Sequence, residues 1–322
     1  MEGIVCEDLH KAYGKVQALG GVSFTAREGE VLALLGSNGS GKTTMVRILT
    51  TLLNPDSGSA RVAGKDIRRD AAGVRAAIGF TGQETVIDKF LTGEEYIGLV
   101  AQLHHVPRRL RAQETKALVA EFALEDVAQA RVGTYSGGTR RRLDLASSFA
   151  GAPSVLFLDE PAVGLDPHGR KRLWEAIRRR AAEGTTVLLT TQHMEEADAL
   201  AGSVVVLARG QVIASGTPSQ LKDQINRRTV ELTMADPDHA EKAKAILATQ
   251  GVQAAAGEAP DTLGFILLKS DPSLLAILKH LDAMSVEVSD IAVRRPTLDE
   301  AFLHLTTGAV EDVYKPEPAE VA

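Results

Sequence analysis

A short glycine-rich segment, Gly36-Ser-Asn-Gly-Ser-Gly-Lys-Thr43, constrains the fold of this chain more than any other feature. It fits the pattern G-x-x-x-x-G-K-[ST] and lies between the apolar run Val31–Leu35 and a helical pattern that begins at Lys42. Glycines allow the backbone to wrap tightly, so that successive N–H groups and the start of the helix face one anion. The segment therefore predicts a strand, a phosphate-binding loop and a helix, which together are typical of an α/β nucleotide-binding fold.

The residue types in this loop predict roles toward a bound nucleotide. Lys42 would reach the β- and γ-phosphates, and the Thr43 hydroxyl would ligate Mg²⁺. A glycine-rich turn with a chance lysine is the alternative, and the flanking strand and helix disfavour it. The candidate phosphate-binding residues are Ser37, Asn38, Gly39, Ser40, Gly41, Lys42, Thr43 and Thr44.

A second apolar run, Val155–Leu158, ends in the carboxylates Asp159 and Glu160, followed by Pro161. A strand end with two carboxylates is by itself equally compatible with a capping role. Beside a phosphate loop, Asp159 would hold Mg²⁺ through water, and Glu160 would polarise the attacking water as a general base. The two segments together predict a site that hydrolyses a nucleotide.

Residues 31–225 alternate β-branched runs with helical patterns, which predicts a mostly parallel sheet with helices on both faces. Residues 84–150 show helical patterns with no strong strand, so we expect a helical insertion there. The predicted strands are Val31–Leu35, Ala77–Thr81, Val155–Leu158, Thr186–Thr190, Ser203–Leu207 and Gln211–Ala214. The predicted helices are Lys42–Leu52, Gly93–His104, Arg108–Phe122, Gly138–Ala150, His168–Glu183 and Met194–Ala201.

The charge balance changes near residue 225. Residues 226–322 contain 9 Lys and Arg against 16 Asp and Glu, whereas the whole chain contains 36 against 42. The step predicts one domain over 1–225, a second over 226–309 and a disordered acidic tail over 310–322. The β-α-β-β-α-β order of patterns after residue 226 predicts a small α+β, ferredoxin-like domain. The overall acidity argues against nucleic acid as a partner.

Composition excludes further classes of protein. The single cysteine, Cys6, excludes a disulfide framework and a cysteine zinc site. No stretch approaches the roughly 18 consecutive apolar residues that a membrane-spanning helix needs. Three arginine clusters lie in helical patterns, where a charge run is typical of a solvated face. They are Arg108-Arg109-Leu-Arg111, Arg140-Arg141-Arg142 and Arg178-Arg179-Arg180.

The segment Tyr135-Ser136-Gly137-Gly138-Thr139 resembles the signature sequence of ABC-type ATPases. Its central Ser-Gly-Gly agrees with the commoner family form Leu-Ser-Gly-Gly-Gln, whereas Tyr135 and Thr139 depart from it. A serine hydroxyl, glycine N–H groups and a helix N-terminus again present donors to an anion. The resemblance implies that Ser136, Gly137 and Gly138 face the γ-phosphate held by a second subunit. One chain would thus carry two anion sites that do not meet within it, in a homodimer that sandwiches two ATP molecules.

Other segments resemble further family elements in the expected order, and the resemblance covers about residues 4–225. Tyr13 stands where the family stacks an aromatic residue on adenine, and a strand-edge tyrosine is the alternative. Gln83 resembles the glutamine that contacts Mg²⁺ and water and links to the helical insertion. Asp166, in Gly164-Leu-Asp-Pro167, belongs to a segment that resembles the loop crossing the dimer interface.

The sequence departs from the family pattern after the strand that follows Glu160. The family usually has a histidine there, four residues before a Glu-Ala pair, and this histidine contacts the γ-phosphate. Anchoring on Glu196-Ala197 places Gln192 at that position, with His193 next to it. Adjacent side chains at a strand end point to opposite sides. We therefore expect Gln192 to be the γ-phosphate sensor and His193 to be an exposed helix-start residue, with His193 as the alternative sensor.

The segment Pro296–Leu303 and the glutamine at position 192 resemble the daunorubicin-resistance type of ABC ATP-binding subunit. In that group the ATPase is separate from a polytopic membrane permease, and the pair exports drugs or other hydrophobic compounds. The resemblance implies an antibiotic-efflux ATPase, peripheral at the cytoplasmic face of the cell membrane, whose surface from Glu84 to Tyr96 contacts the permease. For Pro296–Leu303 itself, an amphipathic helix that buries Leu298, Phe302 and Leu305 is the other interpretation.

Three rival functions remain at this level. An ATPase of a lipid, polysaccharide or ion exporter would share every catalytic motif. A soluble ABC ATPase acting on ribosomes or DNA is disfavoured because the chain has one cassette, no long coiled coil and an acidic C-terminal part. An assembly module with a decayed ATPase is disfavoured by the intact Lys42, Asp159 and Glu160.

Overall fold

The computed structural model of the chain describes residues 2–83, 87–225, 227–257, 259–268 and 271–307. These residues form two compact units, one ending at Pro218 and one beginning at Ser219. The sequence places its charge step slightly further along, near residue 225. The acidic tail predicted over 310–322 lies outside the described residues.

The first unit contains a six-stranded sheet and a four-stranded sheet. Their strands are β1 (Glu2–Tyr13), β2 (Val16–Arg27), β3 (Val31–Leu35), β4 (Ser57–Val62), β5 (Lys65–Asp66), β6 (Ile78–Thr81), β7 (Val155–Asp159), β8 (Thr186–Thr191), β9 (Ser203–Ala208) and β10 (Gln211–Gly216). The six-stranded sheet has the order β10-β9-β3-β8-β7-β6. Its neighbours are parallel except for β9 and β10. Every residue of β3, β7 and β8 is buried, as in a parallel sheet covered on both faces, which confirms the predicted α/β class.

The four-stranded sheet, of order β2-β1-β4-β5, is antiparallel and was not among the predicted elements. The pairing of β1 with β2 shifts register at four places. Such irregularities break the strict alternation of apolar and polar residues by which a strand is predicted from sequence. Its side chains Ile4 and Leu9 are buried in one core with Met45 and Leu49 of the helix after the phosphate loop, so this sheet supports the loop from one side.

The six predicted helices of the first unit are present, with ends shifted by a few residues, and a further helix, α2, was not predicted. The helices are α1 (Lys42–Leu49), α2 (Ala71–Ala77), α3 (Gly93–Leu103), α4 (Arg108–Glu121), α5 (Gly137–Ser148), α6 (Pro167–Ala182) and α7 (Met194–Leu200). Helix α1 ends before the predicted Leu52 because Thr51 adopts a left-handed φ of 63°. The segment around α3, α4 and α5 is helical, as expected for the insertion. Among the described residues, no helix is long and apolar enough to cross a bilayer.

After α8 (Pro218–Asp223), the second unit has the predicted β-α-β-β-α-β order and a final helix. Its elements are β11 (Arg227–Met234), α9 (Pro237–Thr249), β12 (Ala254–Ala256), β13 (Thr262–Leu268), α10 (Leu274–Ala283), β14 (Val288–Arg294) and α11 (Leu298–Thr307). The sheet is antiparallel with the order β12-β13-β11-β14, which confirms the ferredoxin-like arrangement. On α11, Leu298 is buried and Phe302 and Leu305 are half-buried, as in an amphipathic helix.

Candidate nucleotide-binding and hydrolysis site

The phosphate loop connects β3 to α1, and close contacts explain two of its glycines. Gly41 has a φ of 111°, and a Cβ atom there would lie 2.6 Å from the carbonyl oxygen of Ala18. A Cβ atom on Gly36 would lie 2.6 Å from the carbonyl oxygen of Leu207. Since both neighbours are backbone atoms, only glycine allows the loop to wrap this tightly. By contrast, a Cβ atom on Gly39 would meet no atom within 4 Å, so the loop faces open space there.

Lys42 begins α1, and its side chain folds back over the loop. Its Nζ donates hydrogen bonds to the carbonyl oxygens of Gly36, at 2.6 Å, and Ser37, at 3.1 Å. Burial lowers the pKa of Lys42, and the nearby carboxylates of Glu160 and Asp159 oppose this shift. An ammonium has three donors, so one proton remains for a phosphate oxygen.

The two carboxylates lie at the carboxyl end of β7, beside β8, on the same side of the sheet as the phosphate loop. Asp159 is buried, and its Oδ1 accepts a hydrogen bond from the Thr190 hydroxyl. The Glu160 N–H donates to both the carbonyl oxygen of Thr190, at 3.0 Å, and its hydroxyl oxygen, at 3.1 Å. Glu160 has a φ of 49°, which is uncommon for a residue with a side chain and costs about 1 kcal/mol or more. The bonds to Thr190 therefore help to keep Glu160 in a conformation whose side chain lines the cavity.

Gln192 and His193 occupy different surroundings after β8. Gln192 lines the cavity, and its Nε2 donates to both carboxylate oxygens of Glu160 at 3.4 Å. His193 is the exposed residue before α7, and its side chain makes no capping hydrogen bond to the helix. Gln192 is thus the one of the two that lies beside the proposed general base.

The residues expected to bind Mg²⁺ have suitable donor atoms. Gln83 donates from Nε2 to the Thr43 hydroxyl oxygen at 3.2 Å, and both residues line the cavity. Hydroxyl, amide and carboxylate oxygens are the ligands that Mg²⁺ takes, usually together with substrate phosphates and water. Among the described residues, no group of three or more His, Cys, Asp or Glu could hold a metal by itself. The oxygens of Thr43 and Gln83 fit this kind of ion at the cavity, whereas Asp159 lies outside the cavity lining and would act only through water.

A cavity of about 790 Å³ brings most of the predicted site residues together. Those that line it are Tyr13, Asn38, Gly39, Gly41, Lys42, Thr43, Thr44, Gln83, Gly137, Glu160 and Gln192. The predicted residues outside its lining are Ser37, Ser40, Ser136, Gly138, Asp159 and Asp166. Tyr13 is 47% exposed, so much of its ring is open to a nucleobase. The Nζ of Lys11 lies over the ring, 6.0 Å from its centroid.

The Ser-Gly-Gly segment forms the start of α5. The Ser136 hydroxyl oxygen accepts a hydrogen bond from the N–H of Thr139 at 3.2 Å and so caps the helix. Gly137, unlike Ser136 and Gly138, lines the same cavity as the phosphate loop. The expectation that the two anion sites do not meet within one chain is therefore wrong at Gly137. Asp166 is exposed and caps α6, accepting from the N–H of Gly169 at 2.6 Å. Ser136 and Gly137 are exposed as well, and a second subunit could reach them.

The prediction of a solvated face was wrong for the arginines at 140–142. Arg141 is buried and donates to the carbonyl oxygens of Gly82, Asp159 and Glu160 at 2.6, 3.1 and 2.8 Å. Burial lowers its pKa, and the neighbouring carboxylates oppose this shift. The flanking arginines also donate to backbone carbonyls. Three consecutive arginines show no periodicity that would distinguish a buried position from an exposed one, so the burial of Arg141 could not be predicted from the sequence.

The chain is similar to known proteins along nearly its whole length. The family described as ABC transporter matches residues 19–163. The daunorubicin resistance ATP-binding protein DrrA3 of Streptomyces coeruleorubidus is 41% identical over 94% of this chain and 95% of its own length. The doxorubicin resistance ATP-binding protein DrrA of Mycobacterium tuberculosis (strain CDC 1551 / Oshkosh) is 39% identical over 96% of this chain and 95% of its own.

Among solved structures, one described as the ATP binding subunit of an ABC transporter aligns with a TM-score of 0.66 and 27% identity. The alignment covers 69% of this chain and 92% of that structure. Both relatives span nearly the whole chain, whereas the solved structure covers about two thirds of it.

Proposed function

This chain belongs to the ABC transporter ATP-binding proteins of the daunorubicin-resistance type, and from that premise we propose that it powers the export of drugs or other hydrophobic compounds by hydrolysing ATP. The observation that carries the proposal is the convergence of Lys42, Gln83, Glu160 and Gln192 on one cavity beside the phosphate loop. These four side chains supply a cation, two amides and a carboxylate, which are the groups that phosphoryl transfer to water requires.

The residues of this chain would act on ATP as follows. Tyr13 would stack on the adenine, and the loop N–H groups with Lys42 would bind the β- and γ-phosphates. Mg²⁺, when bound to Thr43, Gln83 and through water to Asp159, would neutralise charge on the phosphate oxygens.

The reaction itself would centre on Glu160. Its carboxylate would take a proton from the attacking water as the new oxygen–phosphorus bond forms and the bond to ADP breaks. Gln192, which donates to Glu160 in this structure, would also reach the γ-phosphate as a neutral donor. The products are ADP and inorganic phosphate.

The complete site would be shared between two copies of the chain. Ser136, Gly137 and Gly138 of one subunit would bind the γ-phosphate held by the other, with Asp166 at the interface. Support comes from the exposure of Ser136, Gly137 and Asp166 and from the helix N-terminus behind them. Hydrolysis removes the phosphate that bridges the subunits, so the dimer would then open.

A separate polytopic permease would receive this motion at the cytoplasmic face of the membrane, where the chain would be bound peripherally. The proposed contact surface runs from residue 84 to residue 96. Its first three positions, 84–86, lie outside the described residues. In the described part, Phe90 is 81% exposed, so its ring is accessible to such a contact.

Substitution of Glu160 tests the catalytic part of the proposal. Glu160→Gln keeps the shape of the side chain but removes its basicity, so we expect ATP binding to persist while turnover falls at least about 100-fold. Gel filtration with ATP should then show a trapped dimer. Glu195→Gln, an exposed position on α7, is the matched control and should hydrolyse ATP at the wild-type rate. Unchanged turnover in Glu160→Gln would exclude Glu160 as the base.

A pull-down from membranes of the native host tests the transport part. The bait is tagged Glu160→Gln protein held with ATP, and mass spectrometry identifies what it retains. A polytopic permease in stoichiometric yield is the expected result. Ribosomal proteins, or no membrane protein at all, would contradict the transport assignment and leave the ATPase chemistry standing.

A further inference from the structure

The guanidinium of Arg141 connects α5, the helix that begins with the Ser-Gly-Gly segment, to two strand ends in the nucleotide site. Its Nη1 donates at 2.6 Å to the carbonyl oxygen of Gly82, the residue before Gln83. Its Nη2 donates to the carbonyl oxygens of Glu160, at 2.8 Å, and Asp159, at 3.1 Å. One side chain therefore holds the backbone beside the proposed metal ligand and the backbone of the proposed base.

The hydrogen bonds from Arg141 to these carbonyl oxygens depend closely on the position of α5. Arg141 is buried, and its counter-ion on the same helix is Asp144, whose Oδ2 lies 3.4 Å from Nη1. Hydrogen bonds from a charged donor are short and directional, and they weaken steeply when the distance exceeds about 3.5 Å. One of the carbonyl groups that accept from Arg141 belongs to Glu160, whose φ of 49° lies in the left-handed region. A shift of α5 by about 1 Å would therefore break these bonds and release the backbone that they hold.

We propose that Arg141 is a positioning residue that makes hydrolysis in its own chain's site depend on whether its Ser-Gly-Gly segment has engaged the nucleotide of the partner subunit. The inference rests on the proposed shared site. When Ser136 and Gly137 bind the γ-phosphate held by the partner subunit, α5 is held in place. Arg141, which lies on α5, then keeps the carbonyl groups of Glu160 and Gly82 in the positions that hydrolysis requires. The two hydrolysis sites of the dimer are then coupled through one guanidinium on each chain.

The test is the dependence of steady-state ATPase rate on ATP concentration, measured with the full-length chain. The wild type should show positive cooperativity, with a Hill coefficient approaching 2 for two coupled sites. Arg141→Met removes all the donors, so the Hill coefficient should fall to about 1 and kcat should fall about tenfold. Arg141→Lys keeps the charge without the planar fork and should restore part of both values.

Arg142→Met is the matched control because Arg142 lies on the same helix but donates to Ala123 and Phe122, within the helical insertion. It should lower the melting temperature as Arg141→Met does and leave the Hill coefficient unchanged. Equal loss of cooperativity in both variants would show that Arg141 acts only by stabilising the helix, and would overturn the inference.

Two further outcomes separate the inference from the function on which it rests. Wild-type hydrolysis whose cooperativity survives in both Arg141 variants would overturn the coupling and leave the ATPase assignment standing. A wild-type chain that binds ATP but does not hydrolyse it would overturn the proposed function, and the coupling with it.

Discussion

The side-chain amide of Gln192 donates to both carboxylate oxygens of Glu160, each at 3.4 Å. An amide keeps the same charge at every pH at which the protein is folded, unlike an imidazole. Gln192 can therefore orient Glu160 and donate to a phosphate oxygen without titrating. His193, one residue on, is exposed and makes no capping hydrogen bond to α7 through its side chain.

We expect Gln192→Ala to lower kcat about 10- to 100-fold, because it removes a donor that would act on the transferred phosphate and on the base. His193→Ala should change kcat less than twofold, since that side chain does not line the cavity. Steady-state ATPase assays of the two variants, with ATP affinity measured separately, decide the question. A larger loss in His193→Ala would transfer the sensor role to that residue.

Two kinds of residue differ in how well sequence predicts them. The placement of Lys42 and Glu160 in the cavity could be predicted because it depends on local spacing, in a loop between a strand and a helix or at the end of a buried strand. Arg141 could not, because its acceptors at Gly82 and Glu160 are brought to it by the tertiary fold. Gly137 shows the same limit, since its opening onto the phosphate-loop cavity depends on how the chain folds between the two segments.

The strands also differ in whether local sequence is enough to predict them. The strands of the parallel sheet are continuous apolar runs and were predicted to within a few residues. The antiparallel strand β1 was not, because Asp8, with a φ of 49°, and the surrounding register shifts interrupt its alternation. Hairpin pairing with β2 and long-range pairing with β4 stabilise this strand in spite of its irregular local pattern.

We expect substitution of Thr190 to lower kcat by more than its effect on the free energy of unfolding would explain. Its hydroxyl donates to Asp159 and accepts from the Glu160 N–H, so Thr190→Val frees both carboxylate residues while preserving side-chain shape. We expect a loss of about 1 to 2 kcal/mol in the free energy of unfolding and at least a tenfold loss in kcat.

Thr186→Val is the control for this substitution. Thr186 lies at the other end of β8, is buried, and donates to the Arg27 carbonyl oxygen at 3.3 Å. Its replacement should cost a similar free energy of unfolding in urea titrations without changing kcat. If both variants lose turnover equally, Thr190 acts only through the stability of the strand.

Two glycines of the phosphate loop differ in the space available for a side chain. Gly39 and Gly41 both have positive φ values, of 78° and 111°, so an alanine at either position is strained by about 1 kcal/mol or more, and the strain is larger at 111°, further from the left-handed helical region. Only at Gly41 would the new Cβ atom also collide with the Ala18 carbonyl oxygen. Gly41→Ala should therefore lower the free energy of unfolding by about 1 to 3 kcal/mol more than Gly39→Ala. Urea unfolding measures the difference, and equal losses would contradict the collision.

Asp144, the counter-ion of Arg141, should make stability depend on pH. Burial raises its pKa from the ordinary 3.8 to about 6, and Arg141 opposes the shift. The folded state therefore binds the proton more tightly than the unfolded state. The stabilisation from this group is complete below the unfolded pKa and is lost as the pH rises through about 6.

Asp144→Asn removes this titration because an amide cannot ionise. The free energy of unfolding of the variant, measured against that of the wild type, should rise by about 2 to 3 kcal/mol between pH 4 and pH 7, on top of a constant offset from the altered contact with Arg141. Urea unfolding at several pH values gives this difference directly. Asp126→Asn, at an exposed position, controls for the loss of one negative charge and should give a difference constant to within about 0.5 kcal/mol. A flat difference for Asp144→Asn as well would mean that Arg141 keeps Asp144 ionised across this range, so that the pair carries its full charge at every pH tested.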